Sequence, residues 1–332
     1  MWLQIRMYLL LGLLFAIFYA LFVIAGELLG VGGYYAFIFY AILASIFLFI
    51  QYMIGPKMIE IMMHVRYVSE EEEPELHEMV AELARKAGIK KPKIGISPLP
   101  IPNAFAFGRS VSDGRICITE NIRRLLTKEE LRAVLGHEIS HIKNRDVTVM
   151  TLLSIIPMIC WYLAWTFMFS GGRDRDSGLN HIAIGLFAFL LYFITNLLVL
   201  YGSRIREYYA DKGSVDLGNS PHHLASALYK IVYGSARLPR EMLREAEGYK
   251  AFFLNDPSKA FNEIKELREL DLDMSGTIDR EELEQLRAKK IRLTLTDRLM
   301  ELLSTHPNML KRIKFLSTLE AGEHRISKRI IR

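Results

Sequence analysis

Two histidines four residues apart, the first followed directly by a glutamate, stand in the run Gly136-His137-Glu138-Ile139-Ser140-His141. On a helix this spacing stacks His137 and His141 one turn apart on one face, so both imidazoles can bind a single Zn²⁺. Glu138, about 100° round from His137, falls at the edge of such a site. There it can polarise a metal-bound water and carry its proton to a leaving amine. The pattern predicts hydrolysis if the segment is helical. A purely structural zinc site has no need of that acid.

A catalytic site needs a third protein ligand and one open position. The run Arg206-Glu207-Tyr208-Tyr209-Ala210-Asp211 can supply it: Glu207 as ligand, and Asp211, one turn on, as acceptor of a hydrogen bond that fixes the tautomer of a ligand histidine. His306, in Ser304-Thr305-His306-Pro307, and Arg312 can offer donors to a developing oxyanion. A second metal signal lies between Asp211 and His306. Asp271, Asp273, Ser275, Thr277 and Asp279 occupy positions 1, 3, 5, 7 and 9 of an EF-hand calcium loop, with Gly276 at the sharp turn, Ile278 at the apolar position and Glu282 as the twelfth, bidentate residue. Helical sequence flanks it on both sides, over Phe261–Leu270 and Glu281–Lys289. Ca²⁺ there would steady the insertion and modulate activity; an acidic helix–turn–helix that binds nothing is the other reading.

The elements that must position these groups are legible. Glu70 to Glu73 followed by Pro74 opens a helix with acids at the positive end of its dipole, and Gly88 suits its C-terminus. Between Lys93 and Ile118, the runs KIGIS, NAFAFG and RICIT, parted by prolines and Ser112-Asp113-Gly114, predict short strands. Thr127 and Glu130 make a capping box that starts the His137–His141 helix. Cys117 and Cys160 are expected to be buried and inert, and two cysteines exclude a disulfide framework, a Cys-rich zinc ribbon and an iron–sulfur protein. Hydrophobic residues make up 51% of the 332, and they concentrate in four apolar stretches free of Lys, Arg, Asp and Glu. These run from Met7 to Ala25, Tyr34 to Ile54, Val147 to Phe169 and Ile182 to Tyr201. Each is about the 20 residues that a helix needs to cross a bilayer, which excludes an ordinary soluble enzyme. The net charge of +5 reads as basic membrane flanks, and no basic stripe interleaved with aromatics points to nucleic acid. Lys and Arg at the flanks place both termini, residues 57–146 and the chain after 202 on the cytoplasmic side.

In combination, HExxH, then ExxAD after an apolar hairpin, an upstream Asn103-Ala104-Phe105-Ala106 and a downstream Ser-Thr-His-Pro with a later Arg resemble the HtpX-type membrane zinc metalloproteases. The resemblance covers nearly the whole chain. It implies an α+β, predominantly helical, gluzincin-like zincin domain with four transmembrane helices. It implies Zn²⁺ on His137, His141 and Glu207, with Glu138 as base, and Asn103 to Ala106 as an edge strand that pairs with the substrate backbone. Two positions depart from the family pattern. Asn308 stands where a second proline is usual, and Phe107 where a small or polar residue is common. The expected organisation is two N-terminal spans (1–56), a first catalytic part (57–146), a transmembrane hairpin (147–201) and a second catalytic part (202–332), with the EF-hand-like insertion at about 261–290. The expected substrates are proteins or peptides, and by the resemblance damaged or misfolded membrane proteins. The expected location is the cell membrane, multi-pass, with the catalytic domain facing the cytoplasm. Two rivals stand beside this reading: a prenyl-protein endopeptidase, whose family carries more spans, and a calcium-responsive membrane adaptor with a structural zinc site. Oligomeric state has no sequence signal.

Overall fold

The computed structural model describes residues 49–50, 52–169, 175–239, 241–242, 254, 260–289 and 295–330. The first expected span and most of the second lie outside these residues. The chain divides into two compact units, one of Met1–Gly55 and Thr148–Ser203, the other of Pro56–Val147 and Arg204–Arg332.

In the second unit, helical residues 52–62 lead to β1 (Arg66–Tyr67), α1 (Pro74–Ala87), β2 (Lys93–Ser97), β3 (Ala104–Phe107), β4 (Arg115–Thr119), α2 (Glu120–Leu125) and α3 (Lys128–Lys143). Next come α4 (Asp146–Phe169) and α5 (Arg175–Asp216), whose outer parts make the first unit. The chain continues with α6 (Pro221–Ala236), α7 (Ala260–Leu267), α8 (Arg280–Ala288), α9 (Leu295–Leu302) and α10 (Met309–Ile330). Pro74 occupies the first turn of α1, and Gly88 ends it in the left-handed region at φ 71°, a conformation that costs glycine little.

The sheet order is β1-β2-β4-β3, with β2 and β4 parallel and the outer pairs antiparallel. β3 is therefore an edge strand. Its alternation explains why the two faces differ: Ala104 and Ala106 pack on the main core beside α3, whereas Phe105 and Phe107 join Met63, Ile101 and Cys117 on the other side. The small residues let α3 come close to the strand. Cys117 and Cys160 are both buried, and burial pushes the Cys117 thiol well above its ordinary value.

α3 begins with the full capping box, Thr127 Oγ1 accepting from Glu130 N–H and the Glu130 carboxylate accepting from Thr127 N–H. Glu130 also accepts from Ser226 Oγ at 2.6 Å and Lys230 Nζ at 2.9 Å on α6, so the cap pins two helices. Leu131, Val134, Leu135 and Ile139 fill the core. At two points α3 and the chain around the end of α5 come so close that a glycine faces the other's side chain. A Cβ on Gly213 would stand 2.0 Å from Ser140 Oγ, and one on Gly136 would stand 2.3 Å from Asn219 Nδ2. Ser214 Oγ donates to the Ala133 carbonyl at 2.6 Å and closes the contact.

The third apolar stretch is helical as α4. Among the described residues one helix, Ile182–Asp216, is long and apolar enough to cross a membrane; the expected total of four spans is not shown. In the first unit Ile156, Cys160 and Ala164 of α4 pack with Ala188 and Val199 of α5.

The glycine contact generates a prediction. Gly213→Val inserts a branched side chain where a single carbon already collides, and overpacking of this kind costs about 1–3 kcal/mol. Thermal unfolding of the detergent-purified variant should show that loss, with bound metal falling in parallel because α5 carries Glu207 and Asp211.

Candidate metal centre

α3 brings the two imidazoles together, with His137 Nε2 3.0 Å from His141 Nε2. α5 adds Glu207, whose Oε2 lies 3.6 Å from His137 Nε2 and whose Oε1 lies 3.6 Å from His141 Nε2. The three residues each offer one atom within 4.8 Å of the others, a group that could hold a metal ion. Behind them, His137 Nδ1 stands 2.9 Å from Asp211 Oδ1 and His141 Nδ1 stands 2.5 Å from Asp146 Oδ2. A carboxylate at Nδ1 favours the proton on that nitrogen. Both Nε2 lone pairs then face one point, together with a carboxylate. That set consists of acceptors alone, and a cation satisfies it.

The charges agree with this. Glu138, Asp146, Glu207 and Asp211 are all buried, and the guanidiniums of Arg206 and Arg312 face them. With both imidazoles neutral and Glu138 ionised, four carboxylates against two guanidiniums leave two negative charges, which a divalent ion matches and which, without one, a proton on His137 partly offsets. Burial disfavours a charged His137, but Asp211 and Glu207 outweigh it and raise the pKa to about 9. Burial also raises Glu138 above the ordinary carboxylate range, with Glu207 adding to the effect and the two imidazoles and the Ala106 backbone hydrogen bond opposing it. Glu138 thus lies in the field of the histidine pair and is hydrogen-bonded to the backbone of Ala106 on the edge strand β3.

Asp146 is a site residue that the sequence motifs do not reveal. Asn144 and Arg145 make the tight link between α3 and α4, with Arg145 in the left-handed region at φ 58°, uncommon for a residue with a Cβ. The link turns the chain back so that Asp146 meets His141, and Arg206 Nε fixes its other oxygen at 3.1 Å. The one signal in the sequence is a lone aspartate at the mouth of an apolar stretch.

Arg312, expected as an oxyanion donor, is completely buried. Its Nε and Nη2 donate to Asp211 at 3.0 and 2.6 Å, while Nη1 donates to the Leu254 carbonyl at 2.8 Å and stands 3.1 Å from Glu207 Oε2. It lies beneath the ligands, not at an open face. Asn103, expected to pair with substrate, is likewise buried, and its Oδ1 accepts from Leu254 N–H at 2.9 Å. Leu254 is thereby clasped at its N–H by Asn103 and at its carbonyl by Arg312. His306 reaches the centre, with Nδ1 3.7 Å from Glu207 Oε2. Asn308 caps α10, accepting from Leu310 N–H at 2.9 Å. An N-cap suits asparagine where proline lacks the side-chain acceptor, which accounts for that departure from the family pattern.

In the loop from Asp271 to Glu282, oxygens of Asp271, Asp273 and Glu282 also come within 4.8 Å of one another. Gly276 takes φ 78°. Asp271 accepts from Ser275 and Gly276 N–H at 2.8 and 2.9 Å. Asp279 caps α8 by a box with Glu282. Ser275 and Thr277 share a hydroxyl–hydroxyl hydrogen bond of 2.9 Å.

Carboxylates behind metal-ligating histidines typically govern affinity by about 10–100-fold. Asp146→Asn keeps the shape and removes the charge, so metal affinity measured by competition with a chelator should weaken by that order.

The profile of peptidase family M48 matches residues 70–320. A protease HtpX homolog of Methanothermobacter thermautotrophicus is 54% identical over 230 residues, covering 69% of this chain and 86% of that protein. Another, of Moorella thermoacetica, is 36% identical over 284 residues, covering 84% and 83%. One of Pyrococcus furiosus is 40% identical over 225 residues, covering 66% and 77%. A looser likeness, at 16% identity and a TM-score of 0.46, covers 95% of this chain and 66% of the chain in the crystal structure of S. mikatae Ste24p. The family match over residues 70–320, together with a relative more than half identical, establishes that the chain belongs to peptidase family M48 as an HtpX-type membrane metalloprotease.

Proposed function

We propose that this chain is a zinc endopeptidase that cuts membrane proteins that are damaged or misfolded. One observation carries the catalytic part. Glu138, which metal binding does not need, stands buried between the histidine pair and the backbone of Ala106 on the edge strand. His137, His141 and Glu207 would hold the zinc, since two imidazoles and a carboxylate form a familiar catalytic zinc set. Bound there, zinc supplies Lewis-acid polarisation of a water and of the peptide carbonyl. Glu138 takes the proton from the attacking water and passes it to the leaving amine, for which a raised affinity for protons suits it. β3, from Ala104 to Phe107, presents main-chain groups along the sheet edge, so a substrate backbone can add as a further strand. His306 supplies a donor to the oxyanion. Arg312 works through Asp211 and Glu207, holding both in register, and Asn103 through Leu254.

The membrane part of the reading is four spans, with the catalytic unit on the cytoplasmic side. It rests on the four apolar stretches and on Arg204, Arg206, Lys57 and Arg66 at their flanks; protease protection of a tag inserted between residues 170 and 181 is its check. The rival with a purely structural zinc leaves Glu138 without a role.

Glu138→Gln keeps the size of the side chain and removes the base. Casein cleavage by the detergent-purified chain should fall by about 10²–10⁴-fold while bound zinc, measured on the same sample, is retained. Loss of zinc together with activity would give Glu138 a structural role instead.

The loop Asp271–Glu282 favours a second cation, Ca²⁺, because every position of the twelve-residue pattern is filled and three of its carboxylates, those of Asp271, Asp273 and Glu282, converge. Calorimetric titration with CaCl₂ should give binding that Glu282→Gln weakens at least about tenfold, as befits loss of the bidentate ligand. Equal heats from both chains would remove calcium from the account.

A further inference from the structure

Arg204 has no part in the zinc chemistry, yet it is almost wholly buried. A buried guanidinium is costly unless its donors are met. Here Nη1 points at three main-chain carbonyls, those of Glu301 at 2.9 Å, Leu302 at 3.0 Å and Ser304 at 2.7 Å. The last carbonyls of a helix have no partner within it, and a cation beside them also meets the negative end of the dipole. Arg204 therefore caps the C-terminus of α9 from a neighbouring helix.

The cap matters because α9 is short. It is eight residues long, shorter than a helix that is stable alone. Leu299, Met300 and Leu302, with Leu303 just beyond, are exposed, so apolar burial does not fix this end. The turn that carries His306 begins directly after it. Ser304 N–H donates to the Glu301 carbonyl at 3.0 Å, and His306 N–H donates to Ser304 Oγ at 3.4 Å. On the far side Glu301 accepts from Asn308 N–H at 3.4 Å and pairs with Lys311 on α10. The turn is thus stitched to α10 by Glu301 and to α5 by Arg204. On α5, Arg204 lies three residues before Glu207, so the same helix turn that offers the metal ligand also sets the position of His306, 3.7 Å from that ligand.

We infer that Arg204 is a positioning residue for the proteolytic reaction, holding the Ser304–His306 turn in register with Glu207 so that His306 meets the reacting carbonyl. The inference rests on the proposed role of His306. Lysine cannot replace it well: its ammonium ends one bond short of Nη1, so Arg204→Lys keeps the charge while drawing the donor back from the three carbonyls.

The test compares wild type, Arg204→Lys, His306→Ala and the double variant as full-length chains in detergent. Bound zinc and thermal stability are measured for each. In Arg204→Lys, hydrogen exchange at the amides of Leu303, Ser304 and His306 should quicken at least about tenfold relative to wild type, with zinc content unchanged. On casein, kcat should fall about 10–100-fold, the order expected when one oxyanion donor is misplaced, with KM altered less than about threefold. Adding Arg204→Lys to His306→Ala should cost little more, because residues that act through one another are not additive. Unchanged exchange in Arg204→Lys, or losses that multiply in the double variant, overturns the inference. The exchange result stands even if the wild-type chain cuts no peptide, so failure of the endopeptidase reading is told apart from failure of this one.

Discussion

Around the HExxH helix the structure is organised by buried negative charge that the protein does not neutralise on its own. Glu138, Asp146, Glu207 and Asp211 crowd a volume that two guanidiniums enter, and the two imidazoles bring their Nε2 atoms to 3.0 Å from each other. Packed acceptors repel, and in a poorly solvated interior that repulsion is large. The arrangement is stable when a divalent cation takes the central place, and the surrounding network then serves to keep each acceptor aimed at it. Asp211 and Asp146 orient one histidine each. Arg312 and Arg206 in turn hold those two carboxylates. The outer pairs are as necessary to the geometry as the ligands themselves.

This demand shapes the helices. Ligands come from α3 and α5, which are separated in sequence by the whole of α4, so their approach must be exact without local chain constraint. Gly136 and Gly213 leave the room that Asn219 and Ser140 side chains occupy between the two segments, and the Ser214 bond to Ala133 fixes the register. The capping box at Thr127 fixes the start of α3, and Glu130 ties that start to α6. β3 lies at the sheet edge with small residues toward α3, so Glu138 and the edge strand end up adjacent.

Much of this is legible in the chain alone. The metal ligands can be read because a spacing of four on a helix has one geometric meaning, and capping boxes and strand alternation are local signals. The long-range partners cannot. Asp146 looks like a residue at the mouth of an apolar segment, and its meeting with His141 depends on a left-handed Arg145 that no pattern announces. Arg312 is legible as a needed cation, but only the fold shows it sealed beneath the ligands rather than open to a substrate. Asn103 reads as part of its strand, whereas its side chain turns inward to Leu254. Arg204 reads as a basic membrane flank and serves as a helix cap in three dimensions. In each case the residue type is informative and the partner is set by tertiary contact.

X-ray absorption at the zinc edge on the purified, zinc-loaded chain tests the central claim most directly. The account predicts one zinc per chain with nitrogen and oxygen neighbours only, at about 2.0–2.1 Å, and loss of one such neighbour or of the metal in Glu207→Ala. A sulfur neighbour, or an identical spectrum from Glu207→Ala at full zinc occupancy, would contradict it.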